Sequence, residues 1–191
     1  MKKQETFVES LTKILQKQNA IKQEDAQSLK KIFYDRSDLT FDEFLLEEGL
    51  ISRSQLLNAL SELYQVPAFD ATGYFFEYHT LHEFPKDVML RYLFIPVKLD
   101  ENHNLFEPDE DILPVIANNP NDPDLLEEIG KYVSYDITFM VGLARDISDA
   151  VKEFYDRSPT ELHTDDDVNE LVEETEEIDE LLHPHTRKDE E

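Results

Sequence analysis

Apolar residues in the first third of the chain recur at helical spacing, and they do so twice with an offset of thirty residues. In LTKILQKQNAIKQEDAQSLKKIF, the residues Leu11, Leu15, Ile21, Ala26 and Phe33 hold the places that Phe41, Leu45, Ile51, Leu56 and Leu63 hold in FDEFLLEEGLISRSQLLNALSEL. Each run predicts a helix, a tight turn and a second helix. The second turn contains Gly49, and Asn19 stands at the same place in the first. A helix that ends in a left-handed residue calls for glycine or, failing that, asparagine. Lys30, opposite Leu60, is off pattern, so the unit reads as a duplication whose first copy has drifted.

The pattern predicts helices over Glu5–Gln18, Gln23–Arg36, Phe41–Glu48 and Arg53–Tyr64. Ser52 and Gln55 form a capping box for the last of them. After Pro67 and Gly73 comes an aromatic-rich segment, Phe69 to Tyr78, and from Pro85 the texture changes. A short helix at Lys86–Tyr92 runs into a strand at Leu93–Leu99, and a second strand is predicted at Ile112–Ala117. Asp122 and Pro123 are placed to open a helix with Leu125, Leu126, Ile129 and Val133 on its buried face. In a third strand, Asp136–Val141, Ile137, Phe139 and Val141 alternate with Thr138 and Met140. A closing helix carries Ile147, Ala150, Val151, Phe154 and Tyr155 on one stripe. The expected class is α+β. Two helical hairpins fill residues 1–66, an antiparallel sheet with helices fills residues 67–157, and residues 158–191 form a largely disordered acidic tail.

Charge sharpens this outline. The net charge is −26, and the tail from Ser158 to Glu191 contributes −12 of it. Such a balance repels phosphate backbones, so no nucleic-acid partner is expected. The chain has no cysteine, which fits a reducing cytoplasm, and no apolar run reaches the roughly 20 residues of a membrane helix. The tail still carries an apolar stripe at helical spacing: Val168, Leu171, Val172, Ile178, Leu181 and Leu182. These are the candidate partner-binding residues, expected to order on a protein surface.

Four segments in a fixed order carry a resemblance: LLEEGLISRSQLLNALSELYQVP, PKDVMLRYLFIPVKL, ANNPNDPDLLEEIG and DITFMVGLARDISDAVKEFYD. Together they resemble the N-terminal domain of type II secretion and type IV pilus assembly ATPases, the GspE/PilB family, also called MshEN. The resemblance spans roughly residues 5–157 and implies a helical first part, a small α+β second part and docking on inner-membrane platform proteins. Some members of that family bind cyclic di-GMP through two tandem motifs that open with Arg-Leu-Gly and close with glutamine. At the matching positions this chain has Ser10 and Thr40 for arginine, Thr12 and Asp42 for glycine, and Phe33 and Leu63 for glutamine. A hydroxyl cannot grip phosphate as a guanidinium does, and these replacements argue against cyclic di-GMP as a ligand.

Other chemistry is thinly represented. The only Gly-Lys pair, Gly130–Lys131, precedes Tyr132 within a helical pattern, and four glycines supply no phosphate cradle. His79 and His82, with Glu77 and Glu83, have a metal-compatible spacing but lack a third strong ligand. His183 and His185 flank Pro184 in the tail. No catalytic residue, cofactor or metal site is therefore assigned. The expected function is a non-enzymatic, cytoplasmic protein-interaction module recruited by a platform or assembly ATPase partner, without direct membrane insertion. A nucleotide-sensing receptor with a non-standard site is the alternative.

Overall fold

A computed structural model describes residues 2–36, 39–74, 76, 81–97 and 112–156. Among them are seven helices and three strands. The helices α1 (Lys2–Lys17), α2 (Ala26–Arg36), α3 (Phe41–Glu47) and α4 (Arg53–Tyr64) come first. Then follow α5 (Lys86–Tyr92), β1 (Phe94–Pro96), β2 (Ile112–Ala117), α6 (Leu125–Ile129), β3 (Asp136–Val141) and α7 (Ala144–Asp156). Apart from the last residue of α7, these elements lie in one compact unit, Met1–Tyr155. No described helix is long and apolar enough to cross a membrane.

The duplication is visible in the backbone. Asn19 and Gly49 both adopt left-handed conformations, with φ of 57° and 64°. Ala20 N–H donates to Leu15 O at 2.8 Å, and thirty residues on, Leu50 N–H donates to Leu45 O at 3.0 Å. Asn19 N–H reaches Gln16 O as Gly49 N–H reaches Leu46 O, each at 3.0 Å. Burial repeats as well: Leu15 with Leu45, Ile21 with Ile51, and Ala26 with Leu56 all lie in one core. The off-pattern Lys30 lays its stem along the helices and ends in an ion pair with Glu9 at 2.6 Å. Because a side chain in the left-handed region costs about 1–2 kcal/mol, Asn19→Gly should stabilise the fold by up to about 1 kcal/mol. Equilibrium urea unfolding would check this, and a loss of stability would contradict it.

Capping accounts for the sharpest boundary. Gln55 N–H donates to Ser52 Oγ at 3.2 Å, and Ser52 N–H donates to Gln55 Oε1 at 2.8 Å. That reciprocal pair starts α4 where the sequence predicts. Lys17 and Gln18 on the α1 side both bind the Glu62 carboxylate, at 2.6 and 3.0 Å, which joins α1 to α4. Phe33 of α2 meets Phe41 and Phe44 of α3 at ring-centroid distances of 5.1 and 5.6 Å. The two hairpins thus clasp each other through α1 with α4 and α2 with α3.

The sheet order is β1-β2-β3. β1 and β2 run antiparallel, with Phe94 opposite Ala117 and Pro96 opposite Val115. β2 and β3 run parallel, from Ile112 opposite Asp136 to Ala117 opposite Val141. The α+β class stands, but the sheet is mixed and not wholly antiparallel. The reason lies in the connection, since residues 118–135 carry α6 and are long enough for a parallel crossover.

Other details also depart from expectation. The helix opens at Leu125, not at Pro123, because Asp122 Oδ1 accepts from Asp124 N–H at 3.1 Å in a local turn. With only five residues, α6 buries Leu125 and Ile129 and leaves Leu126 55 % exposed. In β3, Met140 and Val141 are both fully buried, so the alternation fails at its end. Met140 joins a core built on the sheet, α5 and α7, whereas Val141 joins the helical core. The connection from α4 runs alongside: Val141 N–H donates to Pro67 O at 2.8 Å and Phe69 N–H to Val141 O at 2.9 Å. Residues 98–99 of the first predicted strand lie outside the described residues.

Candidate functional site

A cleft of about 760 Å³ opens between α3 and α7. Leu39, Leu46, Leu93 and Leu143 supply its apolar surface. Its polar lining comes from Asp42, Glu43 and Glu47 on α3, Arg53 at the start of α4, and Arg145, Asp146, Asp149 and Lys152 on α7. The sequence brings these together through the Ser52 cap, which aims Arg53 across the gap, and through the amphipathic stripe of α7. That stripe turns Ile147, Val151 and Phe154 inward and leaves the intervening charges outward.

Arg53 is the hub of the cleft. Its Nε and Nη2 donate to Asp70 Oδ1 at 3.0 and 2.9 Å, and its Nη2 also donates to Asp146. A second pair spans the cleft from Arg145 to Glu47 at 3.7 Å, and Arg145 also faces Asp149 at 3.8 Å. Glu43 is occupied in capping α3, accepting from the Thr40 hydroxyl at 2.8 Å and the Thr40 N–H at 3.2 Å. Asp42 is only 5 % exposed. Burial raises its carboxyl above the ordinary value. Burial, reinforced by the Asp42 charge, pushes the Tyr64 phenol up to about 12.

The positions singled out in the sequence fall in different places. Thr40 is exposed beside the buried Asp42, whereas Thr12 is buried and donates its hydroxyl to Val8 O at 2.7 Å. Phe33 is sealed in the helical core, with Leu63 half-buried against it. Val168, Leu171, Val172, Ile178, Leu181 and Leu182 lie outside the described residues, as does His79. His82 sets its ring edge-on to Phe154 at 5.7 Å. Among the described residues no group of three or more His, Cys, Asp or Glu could hold a metal ion. Sequence reasoning missed Arg53, Asp70 and Asp146. Arg53 and Asp146 stand 93 residues apart, and no local signal pairs them. Among the described residues, the cleft lining contains one hydroxyl, Ser148, and no histidine.

The MshEN domain family model matches residues 64–161, just over half of the chain. The chain belongs to the MshEN family. The match begins at the end of α4 and runs through the sheet and α7, the same elements that frame one wall of the cleft. Among solved structures, MshE with cdg is similar at a TM-score of 0.56 and 16 % identity, over 76 % of this chain and 98 % of that one. The N-terminal domain of XpsE is similar at a TM-score of 0.49 and 16 % identity, over 74 % of this chain and 91 % of that one. No curated protein matches the chain. The likeness to MshE overturns one expectation. An MshEN-type fold is seen there with cdg, cyclic di-GMP, so the replacements at Ser10, Thr12, Phe33, Thr40, Asp42 and Leu63 do not dismiss that ligand. They compare one set of contacts and leave the shared fold out of account.

Proposed function

We propose that this MshEN chain is a non-enzymatic docking module of a type II secretion or type IV pilus assembly machine. It works in the cytoplasm and is recruited to its machine by a protein partner. The observation that carries this reading is a run of outward apolar side chains on the short stretch from α6 to β3. Leu126, Tyr132 and Tyr135 are 55, 37 and 50 % exposed, outside both hydrophobic cores or at their margin. Aromatic and large apolar residues on a surface otherwise dominated by charge are the usual anchors of a protein interface. The tail residues Val168, Leu171, Val172, Ile178, Leu181 and Leu182 are proposed as a second contact, made to a basic partner.

The test is a crosslinked pull-down from native cytoplasm and membranes, comparing wild type with Leu126→Asp and Tyr135→Asp. Each change should reduce capture of an assembly ATPase or platform component about tenfold or more while leaving thermal unfolding near wild type. Undiminished capture by both variants would overturn the assignment of this surface. A second reading, a cyclic di-GMP receptor, is favoured by the similarity to MshE with cdg. It predicts saturable amide shifts confined to α1–α4 on titration with that nucleotide.

A further inference from the structure

The sheet order β1-β2-β3 leaves two outer edges, and they are built differently. At the β1 edge, Val97 N–H donates to Pro114 O at 3.0 Å and Asn118 N–H donates to Leu93 O at 2.9 Å. The odd-numbered residues there bond to β2, so Phe94 and Pro96 face outward. Pro96 has no N–H to offer, which blunts that edge. On β3, Gly142 N–H donates to Ala117 O at 3.1 Å, so the even-numbered residues face β2. Ile137, Phe139 and Val141 therefore turn their N–H and C=O groups to the outer edge.

Val141 is occupied on that side. Its N–H donates to Pro67 O and its O accepts from Phe69 N–H, with Ala68 bridged to it in parallel. One step back in the same register, Phe139 O would need an N–H at position 67, and proline has none. The chain before Pro67 also leaves the strand direction, since Gln65 turns left-handed at φ 59° to end α4. Among the described residues, no backbone hydrogen bond reaches Ile137 or Phe139 from the outer side. Both side chains pack against the sheet core, so the strand is anchored by its face while its edge is open. The exposed Tyr132 and Tyr135 stand just before it.

We propose that β3 is a strand-addition site, where an extended, lysine- or arginine-bearing segment of the protein partner pairs its backbone with Ile137 and Phe139. This rests on the docking reading above and specifies how the partner is held. Main-chain hydrogen bonds would supply the affinity, and the segment's alternate side chains the selectivity. Charge selects the occupant. Asp136 is exposed at the start of the strand, and the chain carries −26. A second copy could align antiparallel about Thr138, with Ile137 opposite Phe139 on both sides, but it would set two strongly negative chains edge to edge. A basic segment is drawn in by the same field.

The experiment titrates two synthetic peptides, Lys-Val-Lys-Val-Lys-Val-Lys and Glu-Val-Glu-Val-Glu-Val-Glu, into the full chain while amide shifts and hydrogen exchange are read. In the unbound protein the Ile137 and Phe139 amides should exchange about tenfold or more faster than those of Thr138 and Met140. The basic peptide should give saturable shifts on β3 and slow exchange at Ile137 and Phe139 several-fold, and the acidic one should not. Ile137→Pro removes an outer N–H and no bond to β2, so it should weaken the basic peptide about tenfold with Thr138 and Met140 still protected. Unchanged exchange at Ile137 and Phe139 with the basic peptide, or an equal response to both peptides, would overturn the proposal. So would protection of these two amides in the unbound protein, the sign that a second copy or another part of the chain covers the edge. The wild-type exchange decides even if Ile137→Pro folds poorly. In the pull-down, full capture by a folded Ile137→Pro beside loss in Tyr135→Asp would overturn strand addition and leave the docking surface standing. Undiminished capture by Leu126→Asp and Tyr135→Asp would instead count against that surface alone.

Discussion

Phe33→Ala should destabilise the protein by about 3–5 kcal/mol, the range for truncating a fully packed phenylalanine. Phe33 is 3 % exposed, and its ring contacts Tyr34, Phe41 and Phe44 with centroids 5.3, 5.1 and 5.6 Å away. Removing it takes away both its own burial and the contacts it makes with three other aromatic rings. The comparison that makes the result diagnostic is Leu63→Ala. Leu63 holds the matching place in the second copy but is only half-buried, so its truncation should cost less than half as much. Urea unfolding of both variants would measure the difference. Equal losses would mean that α2–α3 and α1–α4 are equivalent joints, contrary to the aromatic clustering on one side.

Gly142→Ala should cost about 1–3 kcal/mol, the range for forcing extra volume into a filled core. A Cβ at position 142 would overlap Ile116 Cγ2, and Ile116 is fully buried on β2. A β-branched side chain has little rotamer freedom with which to retreat. The backbone at 142 is also tied down, because Gly142 N–H donates to Ala117 O at 3.1 Å. Gly130→Ala is the control. Its nearest contact would be 3.4 Å, at an exposed helix end with an ordinary φ of −63°, so near-wild-type stability is expected. If Gly142→Ala unfolded like wild type, the sheet's end would be able to move away from Ile116.

The helical half was legible because its signals are local. The α4 start needs only Ser52 and Gln55, and the Asn19 turn needs only its register with Gly49. The sheet was less legible because pairing is a long-range property. Nothing within Ile112–Ala117 or Asp136–Val141 says that they align in parallel, and nothing in the α6 pattern says that five residues suffice to turn Leu126 outward. The cleft was least legible. Arg53 reads as one more charge at a helix start until Asp70 and Asp146 arrive from two later segments. Asp42 showed itself in sequence only as a departure from a glycine, and its burial needed the fold. Position-by-position comparison also misjudged the ligand question, since it weighed single side chains and not the scaffold that holds them.

The end of β3 has a consequence for how the gene can vary. Met140 and Val141 are adjacent yet serve two different cores, one on each side of the strand. Because strand side chains alternate, adding or removing one codon within this strand would send each residue to the other's core and break both at once. Residues 136–141 are therefore the stretch where length is most constrained, and substitutions there should be far better tolerated than single-residue insertions or deletions.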